Sequence, residues 1–342
     1  MLENLWKIIE RIEEYLPYLG YPSIPVIVNI ATINLKLHRN ESPNSTLLIW
    51  PSGCGKGSLL EDILKKSNPN FFPQLPQKLY ESEIINFPDD YFNKKVWVYE
   101  DLITLFRGTS TKQREQLMNF FNVFLSRGWY SRRERKVEGK IVCCFGIARE
   151  FYEGKYKKEM LQLTFLDRFN KVYFELSDKM KAEILKLRSI SEEAEPPKIR
   201  LPFYKNDISI TIPEDFTEEI NKLALDWDRR KIMTFVRAQI SISNFLKASA
   251  LLNNRRKVAR EDLMLFKFAL PLYYQETKSS QFEVMSCIFR HSLKFEKVGA
   301  LQIKKEVTSV EERRIEQILK NLREMESVFY EQRGNEFEYW LW

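Results

Sequence analysis

Residues 47–60, LLIWPSGCGKGSLL, constrain this chain more than any other stretch: an apolar strand runs into a glycine-punctuated loop that closes on Lys56. Such a loop cradles phosphate. Backbone N–H groups of the loop and of the following helix N-terminus converge on an anion, and glycines supply the positive-φ turns and close approach. The usual pattern is glycine, four residues, then Gly-Lys-Ser/Thr. Gly53, Gly55 and Lys56 fit it, whereas Trp50 takes the place of the first glycine and Gly57 that of the hydroxyl. The expected nucleotide-binding set is Gly53, Cys54, Gly55, Lys56, Gly57 and Ser58, with Lys56 as the charge on the outer phosphates of ATP. The hydroxyl after the lysine ordinarily ligates Mg²⁺; Gly57 has none, and Ser58 stands one residue late unless the helix start is shifted.

At 342 residues with 44% apolar side chains, the chain has ample material for a buried core and two or three domains. No run is long enough for a membrane span, and the charged N-terminus lacks a signal-peptide core, so a cytoplasmic or nucleoid location is expected. Cys54, Cys143, Cys144 and Cys287 show no paired-motif spacing, and with only His38 and His291 the sequence supports neither a disulfide framework nor a zinc site nor a histidine-based triad. The chemistry is expected to rest on carboxylates, Lys and Arg. A net charge of +7 mildly favours a polyanionic partner.

Leu2, Leu5, Trp6, Ile9, Ile12 and Leu16 recur at helical spacing before Pro17 and predict an amphipathic first helix. Residues 24–30 read as a buried segment and 46–50 as a buried strand. A helix over 58–66, a short strand at 79–84, a stronger strand at 95–99, a long helix at 110–127 ended by Gly128, and strands at 141–148 and 171–176 follow. Strand and helix alternate, and the strands are nearly all apolar, which predicts an α/β fold with a mostly parallel sheet covered on both faces. The polar, Pro-containing stretch 189–202 reads as a linker, followed by helix to about Tyr274. Beyond it, Phe282, Met285, Phe289 and Leu293 line one helix; Ser309 with Glu312 predicts a capping box ahead of Ile315, Ile318, Leu319 and Leu322; residues 327–342 read as a hairpin turning at 333–335. Helix, short helix, helix, hairpin is the order of a winged helix-turn-helix.

KKVWVYEDL, 94–102, ends an apolar strand in Glu100-Asp101. Following a phosphate loop, such a pair is placed to hold Mg²⁺ and to polarise an attacking water, with Glu100 the expected metal residue and Ser58 an additional candidate. The usual order is Asp-Glu; here it is reversed.

These motifs together resemble the AAA+ ATPases, and within them the minichromosome-maintenance (MCM) replicative helicases. Leu59-Leu60 stand where that family has Leu-Leu; Phe165-Leu166-Asp167-Arg168-Phe169-Asn170 parallels its Leu-Leu-Ser-Arg-Phe-Asp; and residues 235–262, FVRAQISISNFLKASALLNNRRKVARED, keep the register of its helical lid. The resemblance covers about 46–342. It implies an AAA+ P-loop core (1–188), a linker (189–210), a helical lid (211–276) and a winged-helix domain (277–342). It also implies an arginine finger at Arg168 reaching a neighbouring subunit's nucleotide, a lid arginine at Arg237 on the γ-phosphate, and a ring, a hexamer, of identical chains. Residues 129–140 fall where the family carries a DNA-contacting hairpin; Tyr130, Arg132, Arg133, Arg135, Lys136 and Lys140 are its candidate contacts, the tyrosine by stacking and the cations by phosphate tracking. The family's long N-terminal DNA-binding and zinc region is expected to be absent, its helix insert does not fit between the loop helix and the acidic strand, and Phe145-Gly146-Ile147 replaces its sensing asparagine.

The expectation is a DNA helicase or translocase driven by ATP and Mg²⁺, from a mobile element or virus, with DNA threading the ring and the mixed-charge winged helix docking DNA or a replication protein. Two rivals remain open: a nucleotide-binding scaffold, initiator or loader that turns ATP over poorly, favoured by Gly57 and Gly146, and a small viral helicase of superfamily 3, which the long lid and winged helix oppose.

Overall fold

The computed structural model describes residues 4–38, 41–132, 134–162, 164–190, 195–334 and 336–341. Its strands, in chain order, are β1 (Ser45–Trp50), β2 (Asn93–Tyr99), β3 (Trp129–Arg132), β4 (Arg135–Glu138), β5 (Lys140–Ala148), β6 (Phe169–Tyr173), β7 (Val298–Gly299), β8 (Phe329–Arg333) and β9 (Glu336–Trp340). Four of them form one all-parallel sheet in the order β2-β5-β1-β6. Side chains alternate across each strand, so Leu48, Trp50, Val96, Val98, Val142 and Cys144 enter one core while Leu47, Ile49, Trp97, Tyr99, Cys143 and Phe145 enter the other. Both faces are covered, which is why the strands read as continuous apolar runs.

The second core is closed by the helix Thr111–Arg127. Ser110 and Gln113 form a reciprocal capping box at its start, and Gly128, at φ 72°, ends it in the left-handed region. Leu117, Phe120, Phe121 and Phe124 are buried, with Phe120 and Phe121 against Trp97. On the first core lies the helix Gly20–Ala31, buried along its whole length. Residues 24–30, legible only as a buried segment, are thus helical: a helix apolar on every side has no periodicity to separate it from a buried strand.

Residues 79–84 form no strand. They hold one helical turn, Glu81–Ile84, because Glu81 is buried there to accept from the Tyr130 hydroxyl (2.8 Å) and to pair with Arg132. The helix after the glycine loop begins at Lys56 and widens into a π-helical stretch, Ser58–Lys65.

The stretch expected as a linker is in part a strap. Asn68 donates to Ile199 O (2.9 Å) and accepts from Leu201 N (3.0 Å), Asn34 donates to Pro202 O (2.8 Å) and accepts from Tyr204 N (2.9 Å), and Phe203 stacks on Phe71. Residues 191–194 of it lie outside the described residues.

A buried polar network fixes the helix Phe235–Leu252 to the sheet. Asn29 donates to Thr46 (3.0 Å) and accepts from Asn44 (3.1 Å) and Asn170 (3.3 Å); Ser241 donates to Asn170 (2.7 Å). Asn170 stands where the resembled family has aspartate. An ionised aspartate accepts only, so it could take the Ser241 bond but not supply the bond to Asn29.

The first helix, Leu5–Tyr15, is amphipathic as expected and capped by Asn4. At its end Glu13 accepts from Tyr18 N (2.9 Å) and Gly20 N (2.8 Å), yet burial outweighs these bonds and Arg290 and raises its pKa from 4.5 to about 7. The folded chain therefore holds this proton more tightly than the unfolded chain, so the contribution of Glu13 falls as pH rises from about 4.5 to about 7, by about 3 kcal/mol. Urea unfolding of the native chain and of Glu13→Gln across that window checks it: the difference between their midpoints is expected to change in favour of the glutamine variant as pH rises, and a constant difference would count against it.

The C-terminal residues form helices Ser279–Leu293, Ala300–Glu306 and Glu312–Glu324 with a small antiparallel sheet, β7-β9-β8. The predicted capping box is not made. Glu311 is the N-cap, and the Ser309 hydroxyl instead donates to Glu283 (2.5 Å), a buried carboxylate that needs donors. The hairpin joins β8 to β9 as read, although Asn335 lies outside the described residues.

Candidate functional site

At the C-terminal end of β1 the chain turns through Gly53 (φ 77°) and Gly55 (φ 81°), both left-handed as a phosphate cradle requires. Trp50 does not obstruct the turn, because its ring is buried against Phe174. Gly55 is closely covered: a Cβ there would lie 2.5 Å from Leu19 Cδ1. Lys56 is buried, and its Nζ donates to Trp50 O (2.8 Å) and Pro51 O (2.9 Å). Burial lowers the lysine's pKa, while Cys54, Glu150, Asp101 and Glu100 pull the other way.

Glu150, just beyond β5, is a carboxylate of this site that the sequence reading missed. Nothing local marks it; the parallel pairing of β1 with β5 brings it to Lys56.

The two departures at Gly57 and Gly146 share one neighbour. A Cβ on Gly57 would stand 2.3 Å from Glu100 Oε1, and a Cβ on Gly146 would stand 2.1 Å from Glu100 O. Glu100 thus runs from the end of β2 across both glycines, held by the bond from Leu102 N to Gly146 O (2.6 Å). Its carboxylate lies against the place where a serine or threonine would carry its hydroxyl. Ser58 does not replace that hydroxyl: the helix starts at Lys56 without a shift, and successive helical side chains diverge by roughly 100°. Asp101 also faces Lys56, and one of its oxygens accepts from Ile103 N (3.1 Å).

Arg168 and Arg237 come together, but not at this loop. Both line a cleft of about 250 Å³ with Asn44, Ser45, Asn170 and Ser241. Ser45 opens β1 and the loop follows its end, so the cleft and Lys56 lie at opposite ends of a six-residue strand, about 17–20 Å. Arg237 is 3.7 Å from Asp167; Arg168 donates through Nε to Asn122 O (3.2 Å), while its buried Nη1 has no hydrogen-bond partner among the described residues.

β3 and β4 form an antiparallel hairpin, with Tyr130 opposite Val137 and Arg132 opposite Arg135. Of the candidate contacts, Arg135 and Lys136 are exposed near the tip. Arg133 lies outside the described residues. Tyr130 is a core side chain, edge-on to Phe120 and bonded to Glu81, and Arg132 is paired with Glu81. Lys140 is also structural, donating to Leu35 O (2.5 Å) and Asp207 (3.3 Å). The sequence reading overlooked Trp129, half-buried between Arg127 (5.6 Å) and Lys136 (5.5 Å).

No protein-family model matches the chain, and no curated protein matches it. No described helix is long and apolar enough to cross a membrane.

The arrangement at Lys56 has the chemistry to take a phosphorylated ligand: positive-φ glycines, a buried ammonium, and carboxylates on neighbouring loops. The cleft at Arg168 has the complementary chemistry, two cations at the opposite end of β1.

Proposed function

We propose that the chain is a nucleotide-dependent ring motor of the AAA+ class, resembling the MCM helicases and acting on DNA, with a winged helix-turn-helix at its C-terminal end. The observation that carries this reading is the meeting of Lys56, Glu100 and Gly146, from three separate stretches of sequence, at one end of the parallel sheet. ATP would lie against the N–H groups of residues 53–58 with its outer phosphates on Lys56. Mg²⁺, when bound, neutralises charge on the phosphates; Glu100 is the residue to hold it, since its carboxylate lies where Gly57 offers no hydroxyl.

Arg168 and Arg237 lie too far from their own loop to serve it. In this reading both act from one cleft on the nucleotide of a neighbouring subunit, which calls for a closed ring, a hexamer. Arg135, Lys136 and Trp129 offer DNA positive charge and an aromatic face.

Asp101 and Gly146 favour a second reading. With one Asp101 oxygen taken by Ile103 N and no polar side chain at Gly146, the site offers a water fewer orienting groups, as expected of a scaffold, initiator or loader that holds nucleotide without turning it over.

ATP turnover with and without DNA separates the two. DNA-stimulated hydrolysis is expected, lost in Lys56→Ala and in Arg168→Ala, and partly regained when the two inactive proteins are mixed, since a mixed interface pairs an intact lysine with an intact arginine. No turnover above the Lys56→Ala background, with nucleotide still bound, leaves the scaffold; failure of the mixture to recover activity removes the role of Arg168 between subunits.

A further inference from the structure

Only six cysteines and histidines occur in the chain, and two of them meet a carboxylate in the C-terminal part. Cys287 and His291 lie one turn apart on the helix Ser279–Leu293, and Glu306 closes the helix Ala300–Glu306 opposite them. One ligand atom from each, Sγ, a ring nitrogen and a carboxylate oxygen, lies within 4.8 Å of the others. Glu306 Oε1 is 2.8 Å from His291 Nε2, and Oε2 is 3.4 Å from Cys287 Sγ.

The imidazole is also oriented from behind. His291 Nδ1 faces Glu296 Oε2 at 3.0 Å, so both ring nitrogens face carboxylate oxygens. A neutral imidazole has one N–H. If it is spent on Glu296, Nε2 turns a lone pair toward Glu306, a juxtaposition that a cation between them resolves. Carboxylate, imidazole, then metal is the usual chain of support around a histidine ligand, the outer carboxylate fixing tautomer and ring orientation.

We propose that Cys287, His291 and Glu306 form a zinc site that ties the helices Ser279–Leu293 and Ala300–Glu306 together, with Glu296 as the positioning residue behind His291. The donor set of one thiolate, one imidazole nitrogen and one carboxylate suits Zn²⁺ and leaves the fourth tetrahedral position to water. Binding converts the Cys287 thiol to a thiolate and releases its proton to solvent. The sequence shows no paired-motif spacing for zinc; in this proposal the ligands are brought together by tertiary contact. The spacing hides them, because the carboxylate comes from a different helix.

The test uses the full chain, stripped of metal with a chelator and titrated with Zn²⁺ against a chromophoric competitor, then with Co²⁺. One Zn²⁺ per chain is expected, with a thiolate-to-cobalt charge-transfer band and a rise in the thermal midpoint. Cys287→Ser and His291→Ala are expected to abolish stoichiometric binding. Glu296→Gln, which keeps all three ligands, should weaken binding by roughly 10–100-fold. Circular dichroism shows which variants remain folded, and Glu296→Gln gives a graded readout should the ligand variants unfold. No bound Zn²⁺ overturns the proposal. So does binding that survives Cys287→Ser with His291→Ala or that depends on His38. A cobalt spectrum without the thiolate band removes Cys287 as a ligand and overturns the site as stated.

Discussion

Lys56→Ala is expected to weaken nucleotide binding by about 100-fold or more, close to 3 kcal/mol, because it removes the one buried cation among the described loop residues 51–57. The lysine is held in place before any ligand is considered, its Nζ bonded to Trp50 O and Pro51 O, so little side-chain freedom is left to lose when it turns to a phosphate. Its pKa, lowered mainly by burial, would rise again beside a phosphate. Arginine should not rescue the site: a planar guanidinium needs a different slot from a point charge, and Gly146, where a Cβ would lie 3.4 Å from Lys56 Cδ, already bounds the space. Titration with a fluorescent ATP analogue, with and without Mg²⁺, reads the effect. Native affinity in Lys56→Ala would remove the phosphate-loop reading altogether.

Gly146→Ala should cost the fold about 3 kcal/mol, at the upper end of overpacking changes. The added methyl would sit 2.1 Å from Glu100 O and 3.0 Å from Glu100 C, backbone atoms that cannot rotate away as a side chain would. β2 and β5 must separate at that point, or the Leu102 to Gly146 bond must break. Either way the Glu100 carboxylate leaves Gly57, so metal-dependent nucleotide affinity should fall together with stability. Asparagine, the sensing residue of the resembled family, should fare worse than alanine at this position. Urea unfolding of the purified variant provides the measurement; an unchanged midpoint would show that the end of β2 moves freely and that Gly146 is no spacer.

Several elements were legible because their causes are local. The strand before Lys56, the helix begun by Ser110 and stopped by Gly128, and the C-terminal order of helices and hairpin all follow from apolar period, capping side chains and glycines within a few residues of one another. Residues 79–84 were misread because Glu81 takes its conformation from Tyr130 and Arg132, some fifty positions away. Ser309 was misread for the same reason, its hydroxyl answering Glu283 rather than its own helix. Tyr130 and Lys140 looked like surface contacts because charge and aromaticity in a sequence carry no record of burial.

The sequence by itself determined that a glycine loop would close on Lys56 after an apolar strand, since left-handed turns and strand period are properties of a few adjacent residues. Only the tertiary structure decided what surrounds them. Arg168 and Arg237 share a cleft away from Lys56, Cys287 meets Glu306, and Glu100 passes over both Gly57 and Gly146. Each depends on which atoms a Cβ or a polar group meets through space, and that is set by the packing of segments distant in the chain.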